Sequence, residues 1–544
     1  MGQSNLLDLL LLSKRNQRSN KRNYDGEMID LTSDGEDECS MANGDEEVIQ
    51  DEETEKGEKL FVKEEEDGTK ENSVGLDQVT PEVQESDPTP DLNETIPCPV
   101  CQLNISKLTL SDRESHVELC LLQPTTHKSI VAPSPKKSKP KQESSKKPRQ
   151  PKPRTKPIPD FKILTFKNNH KINVDGFQFM DHPEVDQYFL SHYHSDHYIG
   201  LGKNWNQGKI YTSKTTSNLL QTVMKIPQDK IVALPFNEPF KIHENIEVIL
   251  YDANHCPGGA IFLFQEFDPE KKIIKRILHT GDFRVSLNHI NLFKSIFIDE
   301  IYLDTTYLNP VYTFMPQRKV VSRSSNFIAN IINQTIKKNS ILNYFKESND
   351  YLIIIGAYSI GKEKLYINLA KTIKSKILIT KDRYKMLSCI DGFTDLDIFQ
   401  FEESKDCKIQ IVSINKLTDL KFLSKFQNKK IIKIKPTGWS FNTFKKDTNI
   451  KDLSFDEILQ KTFINNEFKD FENQLSNQFQ KSSSLSIPYS EHSSFKELSI
   501  FASFLKWGEI IPTVNIGNEY FPKWFEIWKN YELDESVVNE YFKE

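Results

Sequence analysis

A chain of 544 residues with 37% apolar side chains and a formal charge of −6 has room for two or three domains, but its first third is too poor in large apolar residues to build one. Three of its seven cysteines share one short segment with a histidine, which excludes the disulfide framework of a small secreted protein and implies a reducing compartment. The apolar stretch 6–12 is interrupted by Asp8 and followed by Lys14 and Arg15, too short and in the wrong order for a signal peptide or membrane span, so a soluble protein is expected.

Residues 1–95 read as an acidic arm. Lys14 to Arg22 is a candidate nuclear import signal. From Asp25 to Asp91 the chain is crowded with Asp, Glu, Ser, Thr and Gly, cannot bury enough surface to offset ordering entropy, and is expected to be disordered. Within it, Ile29 and Leu31, followed by acids, look like a SUMO-interacting strand that would add to a sheet edge. Gln3 and Leu6 faintly suggest a sliding-clamp box, but Leu9 and Leu10 replace its aromatics, and that partner is not expected.

Residues 96–123 hold Cys98, Cys101, His116 and Cys120, four ligands at zinc-finger spacing, with His116 and Cys120 one turn apart on a helix capped by Ser111 and Glu114. One structural Zn²⁺ is expected. The ββα size and the HVELCL ending resemble ubiquitin-binding zinc fingers of DNA-damage proteins, although Glu118 stands where those usually carry Asp. That resemblance implies ubiquitin as partner, with DNA contact as the competing role. Residues 124–159 form a linker: between Lys128 and Pro157, eleven Lys and Arg face the single acid Glu143, which leaves −16 on the rest of the chain. Such a run is an extended spacer, an import signal or a contact to phosphates.

From about Lys162 the pattern becomes short β-rich runs. Strands are expected at 186–190, 246–251, 261–265, 276–279 and 298–304, each ending in a loop rich in His, Asp or Gly, which places polar residues along one rim. Residues 308–482 read as a separate α/β block with a parallel sheet: strands at 351–356, 376–380, 408–413 and 430–435 and a helix at 362–373. Strand 484–489, helix 494–506 and strand 509–515 are expected to return to the first fold, so that 160–307 and 483–544 form one domain interrupted by the block between them.

The segment Ser191-His192-Tyr193-His194-Ser195-Asp196-His197 gives three imidazoles and a carboxylate within six positions, in a chain with twelve histidines. Neutral imidazole and carboxylate suit Zn²⁺ or Mn²⁺, and a strand end fans side chains into one space. Distant donors at other strand ends would complete a dinuclear site. His255 and Asp282 fit, both beside glycines that allow close backbone approach.

HYHSDH, DANHCPGG, HTGDFR, LDTTY, GAYSIGKE, PTGWS and YSEHSS, in this order, resemble the DNA cross-link repair nucleases of the metallo-β-lactamase superfamily, with Artemis and Apollo as relatives. The resemblance covers about Phe161 to Asn515. It implies a four-layer αβ/βα sandwich with an inserted β-CASP domain. It also implies that His192, His194 and His255 hold one metal, Asp196 and His197 the other, and that Asp282 bridges them. Zn²⁺ is expected in one or two of these sites, with Mg²⁺ or Mn²⁺ admissible at the second. Asp186 matches the family's structural acid, expected to orient the HxHxDH loop, and His279 is expected to hydrogen-bond behind the ligands.

Three further positions of that family match Asp304, His492 and Val514, the last being Val in DNA enzymes and His in RNA-processing ones. Val cannot ligate a metal, so the second site is one donor poorer. His492 precedes a helix opened by Ser494 and Glu497 and is expected to act as a general acid or phosphate-positioning group, with Asp196 and Asp304 as the other catalytic residues. Ser359 and Lys362, with Asp304 and His492, are the residues expected in a pocket for a terminal 5′-phosphate. The resemblance therefore implies a nuclear 5′-to-3′ DNA exonuclease of interstrand cross-link repair. An RNA-cleaving β-CASP endonuclease and a silent ubiquitin-binding adaptor are the alternatives; Val514 argues against the first and the complete ligand set against the second.

Overall fold

The computed structural model describes residues 156–542, apart from 181, 313, 339–350, 439–452, 455–456, 459–470 and 532. The import signals, the SUMO-type strand, the clamp-like box and the zinc-finger ligands Cys98, Cys101, His116 and Cys120 lie outside the described residues.

A first sheet contains β1 (Ile163–Thr165), β2 (Lys171–Val174), β3 (Gln187–Phe189), β4 (Lys209–Ser213) and β5 (Ile231–Leu234), in that order, parallel beyond the β1–β2 hairpin. A second runs antiparallel through β6 (Pro239–His243), β7 (Ile246–Asp252), β8 (Ala260–Phe267) and β9 (Ile273–His279), then parallel to β10 (Phe297–Leu303). Alternation sets the register. In β7, Ile246, Val248 and Leu250 are buried while their neighbours are half-buried or exposed, so one face must be covered. They meet Leu164, Ile172, Val174 and Phe189 of the first sheet, with Phe262 and Phe264 of β8 filling the space between. Helix Lys214–Thr222 covers the outer face of the first sheet through Leu219 and Leu220. Helices Leu287–Phe293, Phe495–Phe504 and Phe521–Asn530 cover the outer face of the second. Two sheets face to face with helices outside make a four-layer αβ/βα sandwich.

The third sheet is wholly parallel. Its strands are β11 (Tyr351–Gly356), β12 (Lys376–Leu378), β13 (Phe399–Gln400), β14 (Cys407–Val412), β15 (Lys430–Pro436) and β16 (Ser484–Ile487), in the order β13-β12-β14-β11-β15-β16. β11 is buried along its whole length, with Ile353 and Ile355 on one face and Leu352 and Ile354 on the other, as a central parallel strand requires. β16 departs from expectation. It pairs with β15, so the inserted block runs past residue 482 and the chain returns to the sandwich only after Ile487. Leu485 and Ile487 are apolar enough for either sheet; the core they enter is that of β11 and β15. The return is completed by β17 (Lys506–Pro512), which lies parallel to β10 at the edge of the second sheet.

Arg284, just after β9, ties these parts together. It is 1% exposed; its Nε and Nη2 each donate to Glu497 Oε1 at 3.1 Å, its Nη1 to the Ser490 carbonyl at 2.7 Å and its Nη2 to the Met315 carbonyl at 2.9 Å. Glu497 also closes the capping box with Ser494. Removing the cation would leave a buried carboxylate unpaired, so Arg284→Met is expected to lower unfolding free energy by roughly 3–5 kcal/mol. Urea denaturation of wild type and variant measures this, and an unchanged midpoint would refute it.

Candidate metal centre

The rim predicted from sequence exists. His192 and His194 leave the end of β3, and Asp196 and His197 lie on the short helix α1 (Ser195–Tyr198). His255 comes from the β7–β8 loop, Asp282 follows β9, Asp304 follows β10 and His492 follows β16. Gly281 lets the HTGD loop approach: it has φ +54, and a Cβ there would lie 2.8 Å from that of Ser191.

Asp282 Oδ2 stands in the middle. It is 3.2 Å from His197 Nε2, 3.7 Å from His192 Nε2, 3.9 Å from His492 Nε2 and 4.0 Å from His255 Nε2. On one side His194 Nδ1 lies 2.9 Å from His192 Nε2 and 3.1 Å from His255 Nε2. On the other, Asp196 Oδ2 lies 3.5 Å from His197 Nε2. The structure thus brings His192, His194, Asp196, His197, His255 and Asp282 together, and adds the Nε2 of His492.

In each of the four ligand imidazoles the nitrogen turned away from this cluster is already engaged. His192 Nδ1 meets the Ser191 hydroxyl at 2.9 Å, His194 Nε2 the Ile360 carbonyl at 3.2 Å, His197 Nδ1 Asp175 Oδ2 at 2.7 Å and His255 Nδ1 the Glu491 carbonyl at 2.8 Å. The remaining nitrogens face one another and a carboxylate. Burial and neighbouring imidazoles push His192 and His255 well below the usual histidine range, and burial lowers His194 as well, so all three favour the neutral form that ligates. At His197 burial opposes charge, but the carboxylates of Asp282, Asp196 and Asp175 overcome it and hold the ring well above that range. Inward lone pairs on one side and a surplus of carboxylate on the other are the donor chemistry of divalent cations, and these residues fit them.

Two expectations need correction. Asp186 is exposed, and the part expected of it belongs to Asp175: Asp175 Oδ1 accepts the Ser191 N–H at 2.8 Å, and Oδ2 accepts the Ser191 hydroxyl at 2.6 Å besides facing His197. Asp175 directly follows β2, has φ 55 and precedes Gly176, a turn signal at a strand end. Lys362 is not open to a phosphate. It is buried, and its Nζ lies 3.1 Å from Glu491 Oε2 while its N–H donates to Glu491 Oε1 at 2.7 Å. Ser359 is exposed at the rim.

Asp304 and His492 form a pair, with His492 Nδ1 2.9 Å from Asp304 Oδ2. Burial disfavours charge on this ring, yet Asp304 and Asp282 raise it to about 9. Val514 donates its N–H to Oγ1 of Thr305, the residue after Asp304, at 3.2 Å. His279, buried and stacked on Tyr302, accepts from the Gly281 N–H at 3.1 Å, and burial lowers it to about 4. Sequence reasoning missed Asp175 and Glu491, and also Lys162, whose Nζ donates to the Asp175 carbonyl at 2.9 Å.

A family model described as DNA repair metallo-beta-lactamase matches residues 399–518. The chain is 33% identical over 531 residues to the DNA cross-link repair protein PSO2/SNM1 of Saccharomyces cerevisiae, covering 84% of this chain and 80% of that protein. Its Schizosaccharomyces pombe counterpart is 32% identical over 80% of this chain and 78% of its own length. The 5′ exonuclease Apollo of Danio rerio is 27% identical over 64% of this chain and 52% of its own. Sandwich, inserted sheet and His/Asp rim are those of a DNA repair metallo-β-lactamase. Within that class the chain belongs to the PSO2/SNM1 family of DNA cross-link repair nucleases.

Asp175→Ala is expected to weaken metal binding about 10- to 100-fold, read by competition with a chromophoric chelator, while Asp186→Ala leaves it unchanged. A second expectation concerns Glu363, which burial and the charge of Glu491 raise from 4.5 to about 7. The folded state holds this proton more tightly than the unfolded chain, so stability falls as pH rises from about 4.5 to about 7 and the penalty is complete above that. Glu363→Gln should flatten this part of the profile of thermal midpoint against pH; parallel profiles would refute it.

Proposed function

We propose that the chain is a 5′-to-3′ exodeoxyribonuclease that acts in the nucleus on 5′-phosphorylated or cross-linked DNA and hydrolyses phosphodiesters with water. The observation that carries this reading is the Asp304–His492 pair set against the donor cluster, with His492 Nε2 3.9 Å from Asp282 Oδ2. His192, His194, His255 and Asp282 would hold one cation, expected to be Zn²⁺ at so nitrogen-rich a site. Asp196, His197 and Asp282 would hold a second, where Mg²⁺ or Mn²⁺ is admissible. Cations held there supply Lewis acidity, lowering the pKa of a water molecule and neutralising charge on the phosphoryl oxygens.

The residues themselves do the rest. Asp175, through Ser191 and His197, fixes the HxHxDH loop so that its donors need not reorganise during reaction. Asp196, its side chain 44% exposed, lies where the cluster opens to solvent and orients the incoming water. As the oxygen of a water that has given one proton to solvent bonds to phosphorus and the P–O3′ bond breaks, His492 Nε2 delivers the proton that the departing O3′ requires and is then reprotonated from solvent. Asp304 holds the ring in place through Nδ1.

Support for a 5′ end comes from the 5′ exonuclease activity that the Apollo relative is named for and from Ser359, exposed at the rim; without Lys362, the phosphate subsite rests on Ser359, Asp304 and His492. Val514, beside Asp304 through Thr305, supports DNA over RNA. Purified full-length protein is expected to shorten 3′-labelled single-stranded DNA with a 5′-phosphate, and chelation should stop it. His492→Ala is expected to lower kcat about 10²- to 10⁴-fold with bound metal retained, and Asp196→Ala to abolish cutting. Equal or faster cutting of RNA would overturn the DNA assignment.

A further inference from the structure

The loop from β11 to the helix α2 (Glu363–Thr372) is held at almost every residue, yet one aromatic side chain in it stays partly exposed. Ala357 donates its N–H to the Val412 carbonyl at 2.9 Å, and Arg383 donates to the carbonyls of Ala357 at 3.2 Å and Ser359 at 3.4 Å. The Ile360 carbonyl meets His194 Nε2 at 3.2 Å, and the Gly361 N–H donates to Glu363 Oε1 at 2.9 Å. Lys362 is locked to Glu491 through both its N–H and its Nζ. Gly361 has φ +103, and a Cβ there would come within 3.0 Å of Glu491 Oε2; Lys362 has φ 71. Backbone strain of this kind persists only where the surroundings impose it.

Between these anchors stands Tyr358, 43% exposed, its ring centroid 6.2 Å from that of His194 at an interplanar angle of 52°. A ring this exposed adds little to the core, while its backbone is fixed beside a ligand of the metal centre. Rigid aromatic faces next to a phosphate-binding centre suit one kind of ligand well. A nucleobase is attached to its own phosphate by about the length of a sugar, and stacks on such a face through its π surface.

We propose that Tyr358 is a stacking platform for a nucleobase flanking the scissile phosphodiester, an inference that rests on the nuclease reading above. Stacking uses the face of a base and not its hydrogen-bonding edge, so the platform accepts any of the four bases and also a base whose edge carries an adduct. Tyr358 thereby positions substrate without reading sequence.

The test uses full-length metal-loaded enzyme and 5′-phosphorylated single-stranded DNA. Y358A is expected to lower kcat/KM about 10- to 100-fold, chiefly through KM, with metal content and thermal midpoint as in wild type, whereas Y358F retains wild-type values. Substrates abasic at one or other nucleotide flanking the scissile bond separate stacking from a structural effect. One of them should slow wild type by a similar factor and leave Y358A no slower than it already is. Equal rates for Y358A and wild type, or abasic sites that slow both enzymes alike, would overturn the platform. Wild type that cuts no DNA at all would instead overturn the nuclease reading, and this inference with it.

Discussion

Everything in the molecule converges on one carboxylate oxygen, Asp282 Oδ2, with imidazole nitrogens of His192, His197, His255 and His492 within 4.0 Å of it. So many polar groups cannot be buried together without a partner of opposite charge. The fold resolves this by giving each outward ring nitrogen its own hydrogen bond and leaving the inward nitrogens of His192, His197 and His255 free to hold cations. The sandwich brings separate strand ends to one rim, and the inserted block closes over it.

The inserted block is not an independent neighbour of the centre. The Ile360 carbonyl orients His194, and Glu491, just after the last strand of the block, orients His255 through its carbonyl while its carboxylate grips Lys362. Metal binding and domain docking are therefore coupled: what loosens the loop loosens two ligands. The Arg284–Glu497 pair performs a similar task on the other side, fastening the loop after β9 to the capped helix behind His492.

Much of this is legible in the sequence. β11 can be read with its observed bounds, because an unbroken apolar run of β-branched residues ending in glycine suits a buried strand and little else. The six ligands are legible because metal sites draw on few residue types and strand ends present them. What escapes depends on partners distant along the chain. Asp186 and Asp175 are both acids flanking short strands, and only the three-dimensional path shows which one reaches Ser191. Lys362 follows a glycine at the head of a helix and looks like a phosphate ligand until Glu491, 129 residues on, takes its charge. β16 alternates apolar and polar residues as a strand should, but alternation does not say which sheet will accept it.

Asp304 and His492 are separated by 188 residues, and Glu491 and His492 are supplied only near the end of a chain of 544. Contacts of such long sequence separation require the closure of long loops, whose entropy the rest of the fold must offset. The sandwich strands before the inserted block thus carry most of the histidines, while the carbonyl that steadies His255 and the imidazole beside Asp304 reach the rim only from the segment that leaves the block.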